Sequence, residues 1–128
     1  MILADTDVLI DYLRGIQPIA TRIRQYAQDN RLRTSVVSCF ELLSGAGSDK
    51  HGDNVRQLVA TTPVLPLDLE SAAHAAGVRR SLMEKGFSIG MGDSLIAGTA
   101  LANRLPLFTR NQKHFQNVEG LHLVSPDK

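Results

Sequence analysis

Apolar residues in this chain come in short bursts divided by polar punctuation, and the bursts switch repeatedly between a strand-like and a helix-like spacing. Met1-Ile2-Leu3-Ala4 is a continuous apolar run that stops at Asp5, the pattern of a short strand buried on both faces. Thr6 or Asp7 can cap a helix through Val8-Leu9-Ile10-Asp11-Tyr12-Leu13, and Gly15 stops it. Pro18 suits the first turn of a second helix, in which Ile19, Ile23 and Tyr26-Ala27 recur at helical spacing. Leu32-Arg33-Thr34-Ser35 predicts a second strand feeding a helix from Val36 to Leu43, which ends at Ser44-Gly45-Ala46-Gly47. The polar stretch from Ser48 to Asn54 predicts an exposed turn before a helix from Val55 to Ala60. Pro63-Val64-Leu65-Pro66-Leu67 predicts a third extended segment, kept short or at an edge by its prolines.

The second half repeats the alternation. A longer helix starts at Asp68 or Ser71 and runs to about Lys85, with Ala72, Ala73, Ala75, Ala76 and Gly77 small enough for close packing against a neighbour. After Ser88-Ile89-Gly90-Met91-Gly92, Asp93 opens a segment through Ala102 that is apolar nearly all round, the mark of a central, buried helix. Pro106 to Thr109 predicts a fourth strand, Arg110 to Phe115 a polar turn, and Leu121 to Val124 a final strand. Strands alternating with helices imply an α/β fold with a mainly parallel central sheet of four to five short strands, in a single domain over residues 1–128.

Composition narrows this only modestly. Hydrophobic content of 43% suits a folded soluble chain, and neither an 18-residue apolar run nor a basic-then-apolar leader is present, so the expectation is a cytoplasmic protein without a membrane segment. Cys39 has no partner for an internal disulfide and sits in an apolar setting, as a buried small hydrophobe does. A net charge of +1 does not announce a nucleic-acid binder. Ten of the fourteen basic residues are Arg, and Arg22, Arg24, Arg31 and Arg33 lie close together, a pattern more often a solvated helix face than a phosphate site.

The acids change the picture more. Asp5 ends an apolar strand, Glu41 follows the second strand, and Asp93 opens the buried helix before the fourth. Local explanations exist for two of them: Asp93 as a helix cap, and Ser38-Cys39-Phe40-Glu41 as a capping box. Asp5 resists such an explanation, because it lies where parallel sheets gather their ligands. Carboxylates converging there without Cys or His clusters would make a hard oxygen site, suited to Mg²⁺ or Mn²⁺ rather than zinc. Brought together empty, they would raise one another's pKa.

Four successive stretches resemble the motifs of the PIN-domain family, in order and spacing: Asp5 to Ile10, Thr34 to Ser38 through Glu41-Leu42, Asp93 to Ala97, and Leu107 to Asn111 through His114-Phe115. The compact length is similar to the VapC-type toxins of bacterial toxin–antitoxin pairs. The resemblance implies a PIN-like α/β/α sandwich and a Mg²⁺- or Mn²⁺-dependent endoribonuclease that hydrolyses RNA by activated water, leaving a 5′-phosphate and a 3′-hydroxyl. It places Asp5, Glu41 and Asp93 at the family's metal positions and Asn111 at a fourth, where many relatives carry Asp. Thr109 matches a supporting hydroxyl, Thr6 lies within the first motif, and Asp7 stands where the family more usually has Asn. His114 is an acid or phosphate contact on one reading and an ordinary turn residue on the commoner one. A cognate antitoxin and a homodimer are the implied partners.

Two rival readings accompany it. Asp5-Thr6-Asp7 and Gly92-Asp93-Ser94 also resemble motifs of haloacid-dehalogenase-like phosphatases, with Asp5 as a covalent nucleophile, although Ala97 stands where that family has an acid. The other rival is a PIN-like module that binds RNA or protein without cutting. Against it, three acids beside phosphates are unfavourable without a cation.

Overall fold

In the computed structural model, which describes residues 1–127, five strands and seven helices alternate along the chain. They are β1 (Ile2–Ala4), α1 (Thr6–Leu13), α2 (Ile19–Gln28), β2 (Leu32–Ser35), α3 (Val36–Ser44), α4 (Lys50–Thr61) and β3 (Val64–Leu65). The second half supplies α5 (Leu69–Glu84), α6 (Met91–Ala102), β4 (Leu107–Phe108), α7 (Gln112–Phe115) and β5 (Leu123–Val124). The strands form one parallel sheet in the order β3-β2-β1-β4-β5, an α/β fold with helices on both faces, as the alternation predicts.

The order matters for function. From the central β1 the chain steps outward to β2 and β3, then returns to the other side of β1 for β4 and β5. The direction of winding therefore reverses between β1 and β4, and loops leaving the carboxyl ends of those two strands diverge to open a crevice. Register pairs Leu3 with Leu107 and Ala4 with Phe108, so Asp5 follows one strand directly beside Thr109 at the end of the other. The Asp5 N–H donates to the Phe108 carbonyl at 3.0 Å, which extends the ladder one residue past the strand.

Alternation along β1 explains why an unbroken apolar run is required. Ile2 and Ala4 point into one layer with Val8, Leu9, Ile23, Leu42 and Val55, while Leu3 points into the other with Val78, Leu82, Ile96, Ala97 and Phe115. Each large aliphatic side chain buried in this way stabilises the fold by roughly 1.5–3 kcal/mol, so a polar residue at any of these positions would be costly. Cys39 is buried, and its thiol pKa is raised by that burial.

The small residues of α5 serve internal packing. A Cβ on Gly98 of α6 would lie 2.5 Å from the Ser71 carbonyl oxygen and 2.6 Å from the Ala75 Cβ, so the two helices approach more closely than any larger pair would allow. This contact holds α6, and with it Asp93, against α5.

Two local expectations need correction. Ser48 to Asn54 is not all turn: Asp49 caps α4 by accepting from the Gly52 N–H at 2.9 Å, so the helix starts at Lys50 despite its polar first turn. Arg110 to Phe115 contains the short α7, because Phe115 is completely buried beneath the loop and pins it. Three of the four clustered arginines have partners within the chain. Arg22 donates to the Ser125 carbonyl at 2.6 Å and lies over the Phe108 ring, Arg31 lies over Tyr26, and Arg33 donates to the Leu32 carbonyl. Among the described residues no helix is long and apolar enough to cross a membrane.

Candidate active site

The crevice is built from Asp5 outward. Asp5, with extended backbone, is itself the N-cap of α1, so neither Thr6 nor Asp7 has the capping role that the sequence suggested. One oxygen, Oδ1, accepts from the Thr6 N–H at 2.8 Å; the other accepts from the Thr109 hydroxyl, also at 2.8 Å. The residue is only 3% exposed, and no basic side chain pairs with it among the described residues. Burial, with the neighbouring Asp7 charge and a smaller contribution from Asp93, outweighs those two hydrogen bonds and pushes its carboxyl pKa up to about 7.

Thr109 ties the site together across the switch point. Its hydroxyl donates to Asp5 and accepts from the Asn111 N–H at 3.0 Å, so one oxygen links the end of β1 to the start of α7. Asn111 is the N-cap residue of α7, but its side chain makes no capping bond, which leaves the amide for other partners. Asp7 turns toward the same loop, accepting from the Val8 N–H at 2.7 Å and the Arg110 N–H at 3.0 Å. Burial raises its pKa as well, opposed by those backbone donors. Both Asp7 oxygens are thus engaged by the backbone, and the residue tethers the β4–α7 loop to α1.

Glu41 comes from the opposite side. Ser35, not Ser38, caps α3, with its hydroxyl accepting from the Ser38 N–H at 3.0 Å; the capping box suggested by Ser38 and Glu41 does not form. Helix α3 starts earlier than that box requires, because Ser35 is the last extended residue of β2. Glu41 therefore has no capping duty. It sits at the surface with Oε1 2.6 Å from the Thr6 hydroxyl, while Ser38 Oγ lies 2.8 Å from that same hydroxyl. Oε2 faces Gly92, where a Cβ would come within 3.3 Å of it. Any side chain at position 92 would thus sit tight against Glu41, whose carboxylate would have to give by a few tenths of an ångström.

Asp93 lies in the first turn of α6, whose N-cap is Gly90, so Asp93 is not the cap either. Its Oδ2 is 3.0 Å from His114 Nδ1, the contact that fixes the orientation of both side chains. The commoner reading of His114 as an uninvolved turn residue does not hold: α7 carries it to the acid. The structure thus links Asp5 to Thr109 and through it to Asn111, links Glu41 to Thr6 and brings it against Gly92, and links Asp93 to His114. Among the described residues no three His, Cys, Asp or Glu side chains are already gathered as a metal cluster. Glu41 and Asp93 each lean toward a hydrogen-bond donor instead, as unscreened carboxylates do.

The PIN domain family model matches residues 2–121. This chain belongs to the PIN-domain family. It is 37% identical to Ribonuclease VapC10 of Mycobacterium tuberculosis over 121 residues, 94% of this chain and 90% of that one. Among solved structures it is similar to VapBC2 from Rickettsia felis bound to a DNA fragment from their promoter, with TM-score 0.84, 22% identity and 98% of each chain covered. A toxin–antitoxin complex from Klebsiella pneumoniae matches with TM-score 0.79, 23% identity and 98% of each chain covered. The fold of this PIN domain is thus shared with VapBC structures at identities where the sequence alone says little.

Sequence reasoning missed one functional neighbour within the PIN domain. Asp11, 4% exposed, accepts from Arg110 Nε at 2.7 Å, and this pair locks the loop that carries Asn111 onto α1. A signal existed, since Asp7 and Asp11 are four apart and share a helix face. What they face was not readable from spacing.

Proposed function

We propose that this chain is a Mg²⁺- or Mn²⁺-dependent endoribonuclease acting as the toxin of a toxin–antitoxin pair. The observation that carries the reading is Asp5: a buried carboxylate without a cationic partner, at the sheet's switch point, in a crevice shared with Glu41 and Asp93. The donor set is all oxygen and fits a hard divalent cation, which Asp5, Asp93 and Glu41 would hold. Bound there, such a cation would supply Lewis-acid charge that acidifies water and offsets negative charge developing at phosphorus. Thr109 fixes the Asp5 carboxylate, and the His114 ring fixes Asp93. Glu41, steadied by Thr6, would share in holding that cation through a water or take a proton from the attacking water. Asn111 offers an amide where an acid would add charge, so the site holds three acids and one neutral oxygen donor.

The relative named Ribonuclease VapC10 supports hydrolysis of RNA as the chemistry, and the toxin–antitoxin complex supports a cognate antitoxin as the natural inhibitor. A homodimer belongs to the same reading. The test is incubation of the purified protein with structured and single-stranded RNAs in Mg²⁺, Mn²⁺ or EDTA, beside Asp93→Asn. Cleavage is expected only with the cations and only with Asp93 intact; activity that survives EDTA would sink the metal dependence. Metal-dependent RNA binding with no cleavage would favour the non-cutting module.

A further inference from the structure

Beside Asp93, a hollow of about 320 Å³ lies between the α5–α6 loop and α7, lined by Phe87, Ser88, Ile89, Lys113, His114 and Asn117. It opens directly onto the Asp93–His114 pair. We propose that this hollow is the subsite for one unpaired nucleotide next to the scissile phosphodiester, with its base stacked on Phe87 and its phosphate met by Lys113. The proposal rests on the ribonuclease reading above.

Four features support it. Phe87 is a large aromatic left 47% exposed, and it is in no aromatic pair among the described residues. Its exposure is not looseness: the Phe87 N–H donates to the Leu82 carbonyl at 2.8 Å just after the left-handed turn at Gly86 (φ +82°), so the ring is presented on an anchored loop. A stacking surface held in place before binding loses little entropy when a base settles on it. Lys113, exposed on the opposite wall, has no carboxylate partner among the described residues, and its charge remains available to a phosphate.

Size and charge restrict the occupant further. The volume is at the small end for ligand sites, enough for one nucleoside and too little for a helical stem. The adjoining hollow of about 400 Å³ shares Leu82 and Asn117 but is flanked by Glu70 and Glu119, which repel a phosphodiester chain. The strand is therefore confined to the Phe87–Lys113 side, and the enzyme reads an extruded base rather than a duplex.

The absence of tryptophan from the sequence makes the test direct. In an Asp5→Asn/Phe87→Trp double variant, cutting is suppressed and the introduced indole is the single reporter. A single-stranded RNA decamer in Mg²⁺ is expected to quench its fluorescence saturably, whereas an abasic decamer and a blunt duplex leave it unchanged. In the cutting-competent chain, Phe87→Ala is expected to raise KM for single-stranded RNA roughly tenfold with kcat altered far less, and Phe87→Tyr to restore it. Equal quenching by the abasic strand, no quenching at all, or an unchanged KM in Phe87→Ala would overturn the subsite. If the unaltered chain cuts RNA but the indole is silent, the subsite alone falls. If the indole responds to RNA that is never cut, the ribonuclease reading falls and the base site stands.

Discussion

Asp5 caps the short helix α1 and Asp11 lies within it, and both are almost wholly buried, yet the fold treats them in opposite ways. Asp11 receives a guanidinium at 2.7 Å from Arg110, while Asp5 receives only a backbone N–H and a threonine hydroxyl. The charge of Asp11 is balanced within the chain, so it can serve as a joint between α1 and the loop after β4. The charge of Asp5 is left unbalanced beside Asp7 and Asp93, and its pKa rises to about 7. Under the proposed metal-dependent reading the contrast is expected, because a site that must accept a cation from outside cannot already be neutralised from inside.

The largest test of this contrast is catalytic. Asp5→Asn is expected to lower RNA cleavage by at least about a hundredfold, roughly 2.7 kcal/mol of barrier, whereas Asp11→Asn keeps a bond to Arg110 and stays within about tenfold. Equal losses in a timed cleavage assay would erase the distinction. Next comes linkage to the cation: at a hundred times its Kd, Mg²⁺ should add about 2.7 kcal/mol to unfolding free energy, seen as a concentration-dependent rise in Tm. That rise should vanish in Asp5→Asn and persist in Arg110→Ala.

Removing the internal cation is the complementary perturbation. Arg110→Ala strands the buried Asp11 carboxylate, and urea unfolding should show a loss of about 2 kcal/mol, less than for a fully buried pair because the Arg110 side chain is 54% exposed. Thr109→Val removes a hydrogen bond to a charged group and should cost about 1.5 kcal/mol while loosening Asp5.

The last test is the pH dependence. Because the Asp5 pKa is raised from 3.8 to about 7 on folding, the metal-free native state binds the proton more tightly than the unfolded chain. Stability from this group is complete below about pH 4 and is lost as pH rises through 7. Asp5→Asn in EDTA should therefore be more stable than the parent at pH 8, by at least about 1 kcal/mol of the roughly 4 kcal/mol to which a shift of this size corresponds, with the gain gone at pH 4. A gain that does not change between those pH values would mean that Asp5 is compensated after all.

Much of the fold was legible because burial on two faces leaves a simple trace. Ile2-Leu3-Ala4 and Leu107-Phe108 read as strands for that reason, and the nearly all-apolar α6 read as central. Helix starts were less legible. Several capping residues compete in Asp5-Thr6-Asp7 and in Ser35 to Ser38, and a displacement of one to three residues decides which of them caps. Spacing suggested local duties for Asp7, Glu41 and Asp93; the folded chain gives Glu41 to Thr6, Asp93 to His114 and Asp7 to the Arg110 backbone.

By itself, the sequence determined the α/β alternation, the apolar strand that stops at Asp5, and the set of acids that one crevice can bring together. Only the tertiary structure decided which of those charges are balanced. Arg110 is 99 residues from Asp11, and His114 is 21 from Asp93, so their pairing depends on β4 lying beside β1 and on Phe115 pinning α7. Local pattern records which side chains seek burial, a property of each residue against water; charge compensation depends on distance in space, which the packed sheet alone sets.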